Sequence, residues 1–462
     1  MKILLRFTST CLVLFFLFGC GNKEPGQKSG EIDYSSLGQL LIGRTNHTAV
    51  WTGSKMIVFG GFTTSTGFSN NSQVSGDFLT PNDVIGYDPA SGQWSFIKTV
   101  GNAITGHTAV WTGTEMLVWG GVISDPTDTT TNGQSFVTKI GRRYNPSTNV
   151  FSRITATINA PSARQGHTAL WAQPASGSTG TASMIIWGGT SDTSSLSVFN
   201  LQNYKADGSL YDPANDAWTP LPTAGAPSAR AGFASVWTGT DMIIWGGVAQ
   251  TNNGSTDIND GALYNLQDNV WTAMSTTNVP NVPSARHNPV AVWTGSQMIV
   301  FGGARLSQSG PTVQLGDGAL YDPQNKTWTP IAAFPGFSAN NINSDSTWAG
   351  VWTGTEFIVW MESSPTTYAA RYKPATSTWT PIIAQGGGQT PNASGQGFSQ
   401  NEFQRFSSTT IWADTKMIIW GGWANNFNNN NAGNSSQIQL YNTGFQYNPL
   451  TDTTTRTSIF IK

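Results

Sequence analysis

Ala49-Val-Trp-Thr-Gly53, followed by Met56-Ile-Val-Phe-Gly-Gly61, is the stretch on which the fold turns. Two short apolar runs, rich in β-branched and aromatic residues, meet at a glycine-containing turn, which is the pattern of a β-hairpin. The first run returns as Ala109-Val-Trp-Thr-Gly113, Ser235-Val-Trp-Thr-Gly239, Ala291-Val-Trp-Thr-Gly295 and Gly350-Val-Trp-Thr-Gly354, and more loosely as Ala169-Leu-Trp171 and Thr410-Ile-Trp412. The second returns with its diglycine ending at Gly121, Gly189, Gly247, Gly303 and Gly422. Once it reads Phe357-Ile-Val-Trp-Met-Glu362 and the diglycine is lost. Successive copies lie 60, 68, 58, 56, 59 and 60 residues apart.

A third run follows each pair. Tyr87-Asp-Pro leads to Trp94, and the tyrosine recurs at Tyr144, Tyr211, Tyr264, Tyr321, Tyr372 and Tyr447. Seven residues after each stands Trp or Phe, except after the last, where Thr454 stands. This is a second hairpin, with Asp-Pro opening its turn. Each unit therefore holds four short strands, and no stretch shows the 3.6-residue period of a helix. Four strands at this period make one blade, and seven units predict an all-β, seven-bladed β-propeller over residues 41–462.

A diglycine after an apolar strand, then Tyr, then Trp seven residues on, resembles the Kelch repeat. The resemblance covers nearly the whole chain after residue 40, and extends to the central propeller of galactose oxidase. The period exceeds the roughly 50 residues usual for Kelch repeats, so the loops are enlarged. The family also implies a ring closed by pairing of the chain ends, with Gly38 to Arg44 beside Thr457 to Ile461 as the candidate strands.

Ahead of the repeats, Lys2 and Arg6 precede an apolar run from Cys11 to Phe18, too short for a membrane span but suited to a secretory leader. It ends in Leu17-Phe18-Gly19-Cys20, which resembles a bacterial lipobox. That resemblance implies cleavage of residues 1–19, lipidation of Cys20, and residues 20–40 as a tether to the cell envelope, at the outer membrane because Gly21 follows the cysteine. The lipid is then the chain's only membrane attachment. With Cys11 removed and Cys20 lipidated, no cysteine remains for a disulfide or a metal site.

The chain of 462 residues carries Lys+Arg 23 against Asp+Glu 25, and only 10% of it is charged. Soluble domains average roughly 25% charged residues, so Ser, Thr, Asn, Gln and Gly must solvate this surface. Without clustered Lys and Arg there is no footprint for nucleic acid.

The tempting residues mostly belong to the repeat. Of 19 Trp, seven sit in the first strand (51, 111, 171, 237, 293, 352, 412). Five precede the diglycine position (119, 187, 245, 360, 420), and five follow Tyr by seven (94, 218, 271, 328, 379). All these read as packing positions, which leaves Trp348 and Trp423. His47, His107 and His167 share one register, four before the first-strand Trp, and read as structural imidazoles; His287 reads as a loop residue. Arg44 and the Ser-Ala-Arg repeats ending at Arg164, Arg230 and Arg286 read as framework.

Departures from the repeat carry the functional expectation. The sixth unit has Met361-Glu362 for the diglycine, Trp348 at the histidine position, and Arg371 before its Tyr. These three form a candidate polar pocket, extended by Glu402 and Arg405 from the next connection. Extra loop length falls almost wholly on the strand 2–3 and 4–1 connections, which share one face. Trp423 belongs to that face. The expectation is a monomeric, non-catalytic module binding a protein or glycan there, without metal or cofactor, with a purely structural envelope protein as one alternative. Galactose oxidase chemistry is excluded, because its copper site needs a cysteine joined to a tyrosine. The enzymatic alternative by family likeness is a sialic acid mutarotase, with Glu362 and Arg371 as its acid–base and carboxylate-binding groups.

Overall fold

The hairpin signals turn into seven four-stranded antiparallel sheets. The structure, a computed structural model, describes residues 43–64, 78–79, 83–100, 104–124, 135–174, 180–193, 202–251, 254–276, 279–307, 312–339, 346–362, 368–382, 405–426, 437–440 and 442–457. The leader and tether, with Cys20, lie outside these residues.

Blade one is made of Thr48–Trp51, Met56–Phe59, Asp83–Asp88 and Gln93–Thr99, hydrogen-bonded in chain order. Thr52 Oγ1 accepts the N–H of Lys55 at 3.0 Å and shapes the first turn. At the second turn Asp88 Oδ1 accepts the N–H of Ala90 at 2.8 Å, and Trp94 packs on Tyr87 with ring centroids 4.8 Å apart. Five residues past the tyrosine the backbone turns left-handed, which is why Gly92, Asn149, Asp216, Asn269 and Asp452 stand there. Four of these side chains also accept the tyrosine hydroxyl: Asn149 from Tyr144, Asp216 from Tyr211, Asn269 from Tyr264 and Asp452 from Tyr447.

The same order recurs with first strands Thr108–Trp111, Thr168–Ala172, Ala234–Trp237, Val290–Trp293, Thr347–Trp352 and Thr409–Ala413. Each first strand neighbours the first strand of the next blade, and the seventh neighbours the first, so these strands form the inner ring. The apolar core lies between blades: Met56, Val58, Tyr87 and Trp94 of blade one are buried with Ile418 and Trp420 of blade seven.

All four strands of the seventh sheet come from the C-terminal part of the chain: Thr409–Ala413, Lys416–Trp420, Gly444–Asn448 and Thr453–Arg456. Residues 38–42 and 458–461, the candidate closing strands, lie outside the described residues. The closure that is described joins blades seven and one by contacts between sheets. Gly422 N–H donates to Arg44 O at 2.8 Å, Trp51 Nε1 to Asp414 Oδ1 at 3.0 Å, and Gln446 Nε2 to the Tyr87 hydroxyl at 2.5 Å.

Candidate binding faces

The diglycine explains how the long-loop face is built. Its two residues have φ of +66° and +90° at Gly60 and Gly61, and they swing the chain out of the blade. The second glycine donates its N–H to the next blade, as Gly61 does to Ile104 O at 3.0 Å and Gly189 to Arg230 O at 2.9 Å. The chain then pairs with the segment leading into its own first strand, through bridges such as Thr45 to Phe62 and Phe406 to Trp423. Small hairpins follow: Val122–Ser124 with Ser135–Val137, Val248–Thr251 with Gly254–Asp257, Ala304–Arg305 with Val313–Gln314, and Trp423–Asn426 with Gln437–Leu440. Together they form a crown on the face of the 2–3 and 4–1 connections.

Buried arginines hold the crown to the blades. Arg286 donates Nη1 to Gly302 O and Asp317 O at 3.1 Å each, and Nη2 to Ser284 Oγ and Asp317 Oδ2 at 2.9 and 3.0 Å. Arg164 and Arg230 repeat this clamp on Asp207 and Asp260. Arg44 pairs with Asp83. All four guanidinium side chains are fully buried, so they fasten the frame and are closed to a ligand.

Arg405, expected in the pocket, is a fifth clamp. It is 1% exposed and donates Nη1 to Gly421 O at 2.9 Å and Thr443 O at 2.7 Å. Trp348 is also committed to packing. It is 6% exposed, meets Phe301 edge-on at 5.1 Å, and donates Nε1 to Leu315 O at 2.7 Å. A Cβ on Gly302 would fall 2.3 Å from its ring, so the diglycine of blade five leaves room for this indole.

The structure does not bring Arg371 to Glu362. In blade six the second strand runs on as Phe357–Glu362, with Glu362 opposite Thr347 and Arg371 opposite Ile358. Four residues of strand, about 13 Å at 3.3 Å per residue, separate the two positions. Arg371 reaches the other way, to Glu356 at 3.5 Å and to Pro449 O at 3.0 Å in blade seven. Arg143 makes the same reach from blade two, to Glu115 at 2.8 Å and Pro213 O at 2.7 Å. This arginine is an inter-blade staple. Glu402 lies outside the described residues, and only the backbone of Glu362 is described. Trp423 is half-buried in the crown, its ring tilted 37° against Phe406 with centroids 4.7 Å apart.

The histidines in register are packing groups. His107 meets Phe59 edge-on at 5.1 Å and its Nε2 lies 2.7 Å from Thr48 Oγ1. His167 repeats this with Trp119 at 5.0 Å and Thr108 at 2.7 Å. His47 meets Trp420 at 5.0 Å across the closure. Burial, above all, pushes all three below the usual histidine range, His107 and His167 to about 3, so they are neutral at pH 7. His287, expected in a loop, is fully buried, with Nδ1 2.5 Å from Asp257 Oδ1 of the preceding blade's crown. Among the described residues no group of three or more His, Cys, Asp or Glu is placed to hold a metal ion.

Two features were missed at the level of sequence. Phe136 is a crown aromatic left 40% exposed, with Arg305 exposed on another crown hairpin. On the opposite face, every first-strand Trp is only half-buried, whereas the Trp before the diglycine are 0–3% exposed. Strand ends predict which tryptophans stay open: the first-strand Trp is the last or next-to-last residue of its strand, beside the strand 1–2 turn.

The chain matches the KLHDC2/KLHL20/DRC7 Kelch-repeats domain over residues 106–340 and again over 182–402, together well over half its length. It is 25% identical over 308 residues to human Kelch domain-containing protein 3, covering 62% of this chain and 70% of the relative. With seven four-stranded sheets closed in a ring, six of them carrying the diglycine, the chain belongs to the Kelch-repeat β-propeller family.

Proposed function

We propose that this propeller is a non-catalytic binding module, held to the bacterial envelope by a lipid on Cys20, that receives a protein partner on its crown. One observation carries the reading: on a face pinned to the blades by buried arginines, Phe136 and Arg305 stand exposed on crown hairpins. Exposed aromatics and arginines on a rigid frame are the residue types that dominate protein interfaces. Kelch-family membership supports a binding role by analogy. The clamped Arg405 and the outward reach of Arg371 leave the mutarotase alternative without its expected pocket.

Photo-crosslinking in the native envelope tests this. A photoreactive residue at Phe136 or Arg305 is expected to give one discrete adduct that the same residue at Ser296, on the opposite face, does not. Equal labelling from both faces, or none from the crown, refutes the crown as the docking face. Cys20→Ser is expected to move the protein from the membrane to the soluble fraction; unchanged fractionation refutes the anchor.

A further inference from the structure

The face opposite the crown carries an aromatic ring with no assigned role. Each first strand carries a tryptophan as its last or next-to-last residue, beside the strand 1–2 turn, and successive first strands are neighbours around the ring. The seven half-buried indoles therefore surround one end of the inner ring. Each packs one side on the core between its own blade and the preceding one, as Trp51 does on the cluster shared with blade seven. Two are fixed further through the indole N–H: Trp51 to Asp414, and Trp237 to Gln173 O at 3.1 Å. Indoles held this way present a ring face at little entropic cost.

Most charge in the strand 1–2 turns is paired, with Lys55 of blade one left exposed. Of the charged residues in the strand 1–2 turns, Glu115 pairs with Arg143 and Glu356 with Arg371. Asp241 accepts Asn265 Nδ2 at 2.9 Å, and Lys416 donates to Gln446 Oε1 at 3.3 Å. Beside Trp237, a cavity of about 50 Å³ is bordered by Pro174 and Gly180 of blade three. Pro174, Trp237 and Leu266 form its apolar wall, Thr240, Asn265 and Gln267 its polar edge, and no ionisable side chain lines it.

We propose that this end of the propeller binds a neutral polysaccharide. The indole face is electron-rich and attracts the polarised C–H groups on one side of a pyranose ring. The uncharged amide and hydroxyl edge beside Trp237 suits a sugar's hydroxyl or acetamido substituent. No ionisable side chain lines the cavity, so a charged substituent finds no countercharge within it. The site is independent of the crown, so failure of either reading leaves the other standing.

The test uses the intact protein labelled with 5-fluorotryptophan, titrated with millimolar cellohexaose, chitohexaose and, as an anionic control, oligogalacturonate, and read by ¹⁹F NMR. The resonances accessible to a soluble paramagnetic agent are expected to shift with a neutral hexasaccharide, while those of the buried indoles do not. Trp111→Phe with Trp293→Phe is expected to weaken binding by about tenfold, and Phe136→Glu on the crown to leave it unchanged. The Phe pair keeps an apolar ring on the core, and its melting temperature reports that the fold survives. No shift with either neutral sugar, or tighter binding of oligogalacturonate, overturns the proposal.

Discussion

Arg164, Arg230 and Arg286 are buried on backbone carbonyls, while their carboxylate partners stay open to solvent. Asp317 is 60% exposed opposite a fully buried Arg286, so solvent screens the ion pair, while the guanidinium bridges Gly302 O and Asp317 O. Arg286→Ala is therefore expected to cost about 3–5 kcal/mol in chemical denaturation, as for breaking a buried charged network. Asp317→Asn should cost about 1 kcal/mol or less; equal losses would place the stability in the ion pair instead. The histidines set the acid limit. His47, His107 and His167 are neutral in the fold because burial holds their affinity for protons down, whereas the unfolded chain takes up protons below about pH 6.5. Their contribution is complete above that pH and is lost as pH falls below 6.5, down to about 3 for His107 and His167. Melting temperature should drop between pH 7 and 5, and His107→Gln with His167→Gln should flatten that slope. A slope unchanged in the double variant would assign acid sensitivity elsewhere.

At the scale of the element, strands and turns were legible because their signals are local: Trp-Thr-Gly, diglycine and Tyr-Asp-Pro each dictate backbone angles where they stand. The crown hairpins were not, since pairing between the residues after a diglycine and those before the first strand has no local mark. The arginine clamp did leave a trace across the repeats. Blades with Arg before the first strand carry Asp or Thr before the third, whereas blade two has Ile104 and Ile140 at the two places. The pocket expected in blade six fails for a reason of direction: Arg371 precedes Tyr372 as Arg143 precedes Tyr144, and both point towards the next blade's turn. Glycines separate the two kinds of turn. A Cβ on Gly53 meets nothing within 4 Å, and one on Gly61 falls 2.6 Å from Thr45 O. Both have positive φ, so Gly53→Ala should cost about 1 kcal/mol for strain alone. Gly61→Ala should cost about 3 kcal/mol or more, because crown and blade must move apart. Similar losses would mean that the crown yields freely.

The whole molecule has no end caps among its described blades. An open stack of repeats shields its terminal units with polar faces, but here the blade-one face of Met56, Val58, Tyr87 and Trp94 is covered by Ile418 and Trp420 of blade seven. Gly422, Asp414 and Gln446 add hydrogen bonds across the same seam. Removing blade seven leaves two large apolar faces bare, one on blade one and one on blade six, where Ile358 and Trp360 lose Met417, Ile419 and Phe445. Patches of that kind drive association in a soluble chain. A chain ending at residue 382 should therefore lose the single cooperative melting transition and elute as aggregate, although six of its blades retain every local signal for folding. Adding residues 405–462 as a separate polypeptide should restore a soluble species only where the two halves bind. A monomeric, cooperatively melting six-blade fragment would show that the blades fold as independent units, and that ring closure contributes little to holding them.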